Sequence, residues 1–255
     1  MKVTILGCGP SAGVPLIGCD CSVCTSENPK NRRTRSSILI ESDTTRVLVD
    51  ASPDLRQQAL REQFKTMDAL IITHAHADHC HGVDEIRSFN YHGDRAIPIY
   101  ADALTMQALQ HRFDYLFLPP QKPWYRGALT PHVITDHEVF TIGDISFLPF
   151  EQQHGKTRST GLRINDFVYS TDVNNFPNDS HYALEKMRFW LVDCLRYEPA
   201  PAHAHVALSL EWIQRYQPER AWLTHMNHDL EYTRLLAETP QCVEPVYDGM
   251  VLEIK

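Results

Sequence analysis

Short apolar runs alternate with amphipathic segments along the whole chain. The runs VTIL, SILIES, RVLVD and DALIIT have the length and β-branched content of strands, and PIYA, ISFLPF, GLRI, FVYS, FWLVD and RAWLTH continue the series. The segments PDLRQQALREQF, ALTMQALQHRF, ALEKMRFW and ALSLEWIQRY have helical periodicity. Strands and helices interleaved in this way predict an α/β layered fold.

One segment breaks this pattern. Residues 114–131, DYLFLPPQKPWYRGALTP, contain four prolines and several aromatic residues with no clean period. Long irregular segments in compact domains often act as lids over a functional site. A rigid loop on the surface is the alternative, and the sequence leaves both interpretations open.

The composition is that of an ordinary globular protein, with 43% hydrophobic and 22% charged residues. No apolar run approaches the roughly 20 residues that cross a membrane, and the start lacks a secretory signal, so we expect a cytoplasmic protein without a membrane partner. The net charge of -8 disfavours nucleic acid as a partner. The basic run KNRRTR, residues 30–35, is either a local nucleic-acid patch or a solvated loop.

Cysteine and histidine are the residue types that point to metal binding in this sequence. The chain has seven Cys and 14 His, and an odd number of cysteines argues against a disulfide framework. Cys19, Cys21 and Cys24 fall within six residues. Three thiols are one ligand short of a tetrahedral zinc site. We therefore expect a metal site at this triplet, completed by a ligand from elsewhere in the chain.

The strongest pattern is ITHAHADHCHG, which follows the predicted strand DALIIT. His74 and His76 alternate at the end of an extended segment, so both imidazoles can point the same way. Asp78 and His79 then fall at the turn into the next helix. Imidazole and carboxylate suit Zn, Mn or Fe. Four donors from one short loop favour a metal site over a surface loop rich in histidine.

This H-x-H-x-D-H pattern resembles that of the metallo-β-lactamase superfamily. Later donors also close predicted strands: FLPFEQQH ends in His154, FVYSTD in Asp172 and AWLTH in His225. Asp50 closes RVLVD, where the family has an acidic residue that supports the first loop. The resemblance covers nearly the whole chain. It implies a single domain over residues 1–255 with a four-layer αβ/βα metallo-β-lactamase sandwich.

The resemblance also implies two catalytic divalent metals, Zn or Mn, in the cleft at the upper edge of the sandwich. A water or hydroxide that bridges them would be the nucleophile. Asp78 is counted among the catalytic residues as well as the ligands. Carried over residue by residue, one metal takes His74, His76 and His154, the other takes Asp78, His79 and His225, and Asp172 bridges both.

Three further features narrow the branch. They are the C-x-C-x-x-C triplet between GCGPSAGVP and NRRTRSSILIE, the stretch SPDLRQQ after Asp50, and GVDEIR after the metal motif. Together they resemble the PhnP-like branch of cyclic phosphate phosphodiesterases. This implies hydrolysis of a small cyclic phosphate, such as 5-phosphoribosyl 1,2-cyclic phosphate, or of a nucleotide-like phosphodiester, by a homodimer. It also implies a structural zinc on Cys19, Cys21, Cys24 and His228.

Two histidines are candidates for the general acid, because both precede the predicted helix ALSLEWIQRY. The family pattern favours His203, with His205 near the helix cap, and a shift of two residues would exchange them. The backbone of the Gly7–Gly13 turn could supply phosphate donors. Further candidates for contacts with the substrate or the cleft are Arg87, Ser170, Arg196, His81 and His92.

Two alternative functions remain. A tRNA 3′-processing endonuclease of the same fold would need an extended basic arm, and the sequence has no long Gly/Lys-rich insertion. A non-hydrolytic binding or carrier protein of cofactor biosynthesis would share the Cys triplet and the ASPD stretch, but such relatives tend to have degraded metal motifs. The complete donor set of this chain favours catalysis.

Overall fold

The structure is a computed structural model that describes residues 1–90, 96–118 and 128–255. The strands are numbered along the chain. They are β1 (Lys2–Gly7), β2 (Ser37–Glu41), β3 (Arg46–Val49), β4 (Ala69–Ile71), β5 (Ile97–Ala101), β6 (Leu129–Val133), β7 (Phe140–Ile142), β8 (Ile145–His154), β9 (Thr157–Ile164), β10 (Phe167–Ser170), β11 (Phe189–Asp193), β12 (Arg220–Thr224), β13 (Val243–Pro245) and β14 (Val251–Glu253).

The helices are short and connect or cover the strands. Short 3₁₀ helices lie at Pro29–Asn31, Val83–Glu85 and Asn178–Ala183. The α-helices are α1 (Leu55–Arg61), α2 (Ala77–Cys80), α3 (Ile86–Asn90), α4 (Ala103–Arg112), α5 (Asp114–Phe117), α6 (Val206–Tyr216) and α7 (Tyr232–Glu238). Within the described ranges no helix combines the length and the apolar character needed to cross a membrane.

Two mixed sheets form the centre of the molecule, and in the described part of the chain each has seven strands. The first sheet has the order β14-β1-β2-β3-β4-β5-β6, and the second has the order β13-β12-β11-β10-β9-β8-β7. The alternation of side chains along β2 shows how they are layered. Ile38 and Ile40 pack into a core with Phe150 of the second sheet, whereas Leu39 belongs to a separate core with Leu55 of α1.

The outer face of each sheet is covered by helices. Residues of α1, α3 and α4 pack with the first sheet in one core. Trp212 of α6 and Leu235 of α7 pack with the second sheet in the other. The predicted four-layer α/β sandwich is thereby confirmed.

One predicted helix is wrong. The segment ALEKMRFW contains the end of a 3₁₀ turn at Ala183 and the start of β11 at Phe189. Lys186 between them has φ 54, which a helix does not accommodate. All five residues of β11 are buried, as expected for a strand between two neighbours in a covered sheet.

The proline-rich segment 114–131 is described at its two ends. It begins with α5, and Leu129–Val133 forms β6 at the edge of the first sheet. Residues 119–127, on which the prediction of a lid depends, lie outside the described residues.

Strand directions bring chemically important residues to one edge. β10, β11 and β12 are parallel, and β8 runs in the same direction because both β8 and β10 are antiparallel to β9. β3 and β4 of the first sheet are also parallel. The carboxyl ends of these strands, or the residues just beyond them, carry His154, Asp172, Asp193 and His225 in one sheet and Asp50 and His74 in the other.

Candidate metal centres and active site

Two groups of potential metal donors meet at this edge and share one carboxylate. Within each group, one donor atom from every residue lies within 4.8 Å of the others. The groups are His74, His76, His154 with Asp172, and Asp78, His79, His225 with Asp172. The structure thus brings together all seven residues that the sequence suggested as catalytic metal ligands.

The carboxylate of Asp172 divides its two oxygens between the two groups. Oδ1 lies 3.8 Å from His74 Nε2 and 3.6 Å from His154 Nε2. Oδ2 lies 3.0 Å from His79 Nε2 and 3.4 Å from His225 Nδ1. This is the arrangement expected of a carboxylate that contributes one oxygen to each of two neighbouring cations.

Asp50 orients the imidazole of His79. Its Oδ2 accepts a hydrogen bond from His79 Nδ1 at 2.7 Å, and its Oδ1 accepts one from the backbone N–H of Thr73 at 2.8 Å. Because a carboxylate can only accept, Nδ1 carries the hydrogen and Nε2 of His79 is left free to ligate. Asp50 therefore supports His79, as the resemblance to the superfamily implied.

Three residues at the site adopt left-handed backbone conformations. Asp50 has φ 63, Asp172 has φ 53 and His225 has φ 60. Such φ values are unfavourable for residues other than glycine and concentrate at functional sites. Each residue directly follows a strand or lies two residues beyond one, so each kink turns a side chain out of the sheet and towards the shared edge.

The donor chemistry fits divalent cations. Nε2 of His74 is buried and has no hydrogen-bond partner among the described residues, which is costly unless another group binds it. Burial lowers the pKa of His74 well below its ordinary value and also lowers that of His225. Both imidazoles are therefore neutral near pH 7, which is the form that binds metals.

His203 lies beside the donor groups, and His205 does not join them. His203 Nδ1 is 3.0 Å from Asp193 Oδ2 and 3.8 Å from Asp172 Oδ1. The His203 ring stacks on that of His225 with centroids 4.8 Å apart. His205 immediately precedes α6, and its carbonyl accepts the N–H of Ser209 at 2.9 Å. Of the two candidates for the general acid, the geometry favours His203.

The Cys triplet gathers around a distant histidine. Cys19 Sγ and Cys21 Sγ lie 3.5 and 3.4 Å from His228 Nδ1, and Cys24 completes a group of four donors. A backbone hydrogen bond from Cys24 lowers the pKa of Cys21 to about 6, whereas burial raises that of Cys24 to about 11. The group thus favours one thiolate by itself, and a bound cation would deprotonate the others. Cys₃His is a common closed shell for structural zinc.

A cavity of about 590 Å³ opens beside the first donor group. His74 and His76 form one side of it, and Leu104 at the start of α4 forms another. Three cationic side chains line it, those of Arg112, Lys156 and Arg158, together with two carboxylates, those of Asp102 and Glu151. Arg158 is held by a 2.6 Å ion pair with Asp136. The cavity therefore joins the metal donors to a region that can accept an anionic group.

The sequence-based candidates for phosphate contacts are placed differently. Ser170 is fully buried and accepts the indole N–H of Trp190 at 3.1 Å, so a substrate does not reach it. Arg196 donates to the carbonyl of Pro199 at 2.8 Å, and Arg87 donates to Asp84 at 2.6 Å. Neither arginine is among the described residues that line the cavity.

The Gly7–Gly13 turn also differs from expectation, and of the two further histidines the structure describes only His81. The N–H groups of Gly9 and Gly13 bond to the carbonyls of Thr34 and Pro10, both at 2.8 Å, so they are not free to bind a phosphate. His81 makes an edge-to-face contact with Phe113, with ring centroids 5.9 Å apart. His92 lies outside the described residues.

Sequence reasoning missed Asp193, Lys156 and Arg158. Asp193 ends the apolar strand FWLVD just as Asp50 ends RVLVD, so an acidic residue after a buried strand was the available signal. Lys156 and Arg158 follow His154 on the β8–β9 hairpin, and their proximity to a donor could have marked them.

Comparison with known proteins gives one family match and several related chains. The model of the Beta-lactamase superfamily domain matches residues 45–226. The crystal structure of a diphosphatase from the PhnP family is 34% identical, with a TM-score of 0.92 over 100% of this chain and 98% of that one. Zn²⁺-bound PqqB from Methylobacterium extorquens is 18% identical, with a TM-score of 0.80 over 100% of both chains, and shows the same fold.

A curated relative extends well beyond the matching region. An octanoyltransferase of Porphyromonas gingivalis is 31% identical over 257 residues, which is 98% of this chain and 51% of the relative. The chain therefore spans about half the length of that protein.

Proposed function

Because the chain belongs to the β-lactamase superfamily, we propose that its paired donor groups make it a binuclear metal-dependent phosphodiesterase. The broader description, a metal-dependent hydrolase of the PhnP-like type, rests on the family match and on the diphosphatase that is 34% identical. The finer one names the bond and the substrate class. We propose a small cyclic phosphate, such as 5-phosphoribosyl 1,2-cyclic phosphate, or a nucleotide-like phosphodiester.

The observation that carries this proposal is the position of Asp172. One of its oxygens faces His74 and His154, and the other faces His79 and His225. A carboxylate placed this way supports two cations, Zn²⁺ or Mn²⁺, held side by side. When bound, such a pair supplies Lewis acidity to a water molecule and to the oxygens of a phosphate ester.

The residues around the donors orient them and exclude water. Asp50 fixes the ring of His79 through Nδ1, and the carbonyl of Ala202 fixes that of His154 through a 2.7 Å hydrogen bond to Nδ1. Hydrogen bonds of this kind set the tautomer and direction of a ligating imidazole. His74, His79 and His225 are buried, whereas His76 is exposed at the mouth of the site.

In this proposal His203 protonates the leaving group. Hydrolysis adds water at phosphorus and breaks one P–O bond, and the departing oxygen needs a proton unless it is a good leaving group. The carboxylate of Asp193 holds the Nδ1 side of His203, so Nε2 can present a proton to that oxygen. His203 is thus the proposed general acid, and Asp193 positions it.

The cationic cavity would hold the part of the substrate that does not react. Lys156 has no ion pair among the described residues, whereas Arg158 is anchored by Asp136. A second phosphate or another anionic group of a small substrate can therefore bind beside His76. This supports a phosphate-rich small molecule over a neutral lactam.

Hydrolysis of a diphosphate linkage is a second candidate. It is favoured by the diphosphatase with which the chain shares 34% identity. Attack at phosphorus and protonation of a leaving phosphate would use the same groups. The octanoyl transfer in the name of the longer relative belongs to a protein of which this chain matches 51%.

The two alternatives weighed from sequence are less well supported. For a tRNA-processing endonuclease the basic run 30–35 would have to face a nucleic acid, but Arg33 within it is buried. A non-hydrolytic carrier protein does not require two complete donor groups around a shared Asp172. The geometry therefore favours hydrolysis of a small phosphate ester.

The test is a substrate panel with the protein loaded with Mn²⁺ or Zn²⁺. Bis(p-nitrophenyl) phosphate, 5-phosphoribosyl 1,2-cyclic phosphate, a dinucleoside diphosphate, a thioester and a β-lactam would be assayed side by side. We expect hydrolysis of the phosphodiesters, abolished by chelation. Products separate the two candidates, since a diphosphatase would release two monophosphates from the dinucleotide. Turnover of the thioester or lactam without any phosphoryl substrate would reject the proposal.

A further inference from the structure

The basic run KNRRTR turns inward instead of forming a charged surface. Arg33 is 2% exposed and is among the largest fully buried side chains. Lys30 Nζ lies 4.3 Å from the ring centroid of Tyr232, and Arg35 pairs with Asp54 at 2.8 Å. Arg32 is exposed and donates to the carbonyl of Ser26 at 3.1 Å. The basic side chains of this run therefore make contacts within the protein, whereas the sequence suggested either a nucleic-acid patch or a solvated loop.

The guanidinium of Arg33 binds the backbone of a distant loop. Nη1 donates to the carbonyl of Asn227 at 2.7 Å, and Nη2 donates to that of Leu230 at 2.6 Å. Nη2 also lies 3.3 Å from Oδ1 of Asn31. Within the described ranges Arg33 forms no ion pair, and burying an unpaired cation is costly. Its hydrogen bonds to the two carbonyls, on either side of His228, offset part of that cost, and the carboxylates of Asp248 and Glu231 also favour the cation.

Neighbours of Arg33 hold the same loop at its two ends. Asn31 Oδ1 accepts the N–H of Tyr232 at 2.8 Å. Ser36 Oγ lies 3.0 Å from His225 Nδ1 and donates to the carbonyl of Gly9 at 3.0 Å. Residues 225–232 thus contact one short stretch of chain, residues 31–36, at both ends and in the middle.

This loop carries a donor of each kind of metal site. His225 belongs to the group around Asp172, and three residues later His228 belongs to the Cys triplet. Ordering a short loop costs conformational entropy. Because Arg33 holds the loop as one rigid piece, a metal that fixes His228 also restricts where His225 can lie, so a second metal at the group of His225 bears less of the cost of fixing that side chain.

We propose that Arg33 is a positioning residue that couples the two kinds of site, so that zinc at Cys19, Cys21, Cys24 and His228 raises the metal affinity of the group containing His225. By linkage the effect is reciprocal. The proposal rests on the metal assignments of the proposed function but not on the reaction, so an absence of phosphodiester hydrolysis would leave it intact.

The test titrates metal-free protein with Co²⁺ and follows its absorption. Thiolate-to-cobalt charge transfer reports the Cys site, which consists of Cys19, Cys21, Cys24 and His228. The two groups that share Asp172, called here the His/Asp groups, give only weaker d–d bands. Wild type would be compared with His228→Ala, which removes a ligand of the Cys site, with Arg33→Met and Arg33→Lys, and with Arg32→Met. Arg32 is the matched control because it is an exposed arginine on the same segment. Circular dichroism would establish that each variant is folded.

We expect His228→Ala to weaken Co²⁺ binding at the His/Asp groups by about tenfold, within the usual range for coupled sites. Arg33→Met should weaken both kinds of site and make the His/Asp groups indifferent to occupancy of the Cys site. Arg33→Lys keeps the charge but has fewer directed donors, so its Co²⁺ affinities and coupling should lie between those of wild type and Arg33→Met. Arg32→Met should bind Co²⁺ as wild type does.

The proposal is wrong if filling the Cys site leaves the Co²⁺ affinity of the wild-type His/Asp groups unchanged. It is also wrong if folded Arg33→Met, or Arg33→Lys should the first variant not fold, keeps the full wild-type coupling. A loss of Co²⁺ affinity in Arg33→Met that is confined to the Cys site would likewise contradict the proposal.

Discussion

His203 Nδ1 lies 3.0 Å from Oδ2 of Asp193, and the same oxygen accepts the backbone N–H of Val173 at 2.9 Å. Asp193 is fully buried at the end of β11, so its carboxylate is held in place and fixes the orientation of the His203 imidazole. Burial alone would lower the pKa of His203, but the Asp193 carboxylate outweighs it and raises the pKa to about 9. The pair therefore holds a proton next to the shared carboxylate of Asp172.

This pair predicts a leaving-group effect. His203→Gln should lower kcat by about 10² to 10⁴-fold on substrates that expel an alkoxide, because such an oxygen needs the proton. The loss should be much smaller on bis(p-nitrophenyl) phosphate, since p-nitrophenolate leaves without one. Asp193→Asn should show the same pattern to a lesser degree. His205→Gln is the control, and equal losses with His205→Gln or on both substrates would assign His203 a structural role.

A second prediction concerns the shared carboxylate. Asp172→Asn should abolish hydrolysis and reduce bound catalytic metal by at least one ion per chain, because an amide oxygen is a weak bridge. Asparagine tolerates the left-handed backbone at this position, where φ is 53, so the variant should fold. Metal content after desalting, measured by mass spectrometry, checks the result. Retention of the full metal complement would contradict the bridging assignment.

The donors could be predicted because His154, Asp172 and His225 follow or end strands of recognisable composition, and because the other four lie together in the H-x-H-x-D-H motif. Parallel strands deliver their carboxyl ends to one edge, so residues as distant as His74 and His225 meet there. Periodicity located the strands, but the resemblance to the metallo-β-lactamase superfamily was needed to select His154, Asp172 and His225 as the later donors. Ser170 was misassigned because alternation along β10 turns its side chain towards Trp190 and away from the cleft.

The role of Arg33 could not be predicted from local sequence. Arginines in a basic run are ordinarily solvated. Its partners, the carbonyls of Asn227 and Leu230, are 194 and 197 residues away along the chain. Backbone carbonyls carry no signal in the sequence, so only the folded arrangement shows why this arginine is buried while Arg32 is exposed.

A third prediction concerns the Cys triplet. Cys21→Ser should remove one zinc per chain and lower the melting temperature by about 4–8 °C, because a stability loss of about 2 kcal/mol shifts a domain of this size by that amount. Cys242→Ser is the matched control, since Cys242 is also partly buried and lies outside the three donor groups of the described residues. Unchanged zinc content in Cys21→Ser would show that the triplet does not hold the metal.

The last prediction concerns how the cavity selects its substrate. Lys156 lines the cavity next to His76 and is exposed, so its contact with a second anionic group should contribute about 1 kcal/mol. Lys156→Ala should then raise KM about fivefold for 5-phosphoribosyl 1,2-cyclic phosphate while kcat stays the same. Bis(p-nitrophenyl) phosphate has no second phosphate, so its kinetics should not change. Lys65→Ala, which removes an exposed lysine elsewhere, is the control. An equal rise in KM for both substrates would mean that Lys156 acts on the reacting phosphate, and no rise for either would place the second anion outside this cavity.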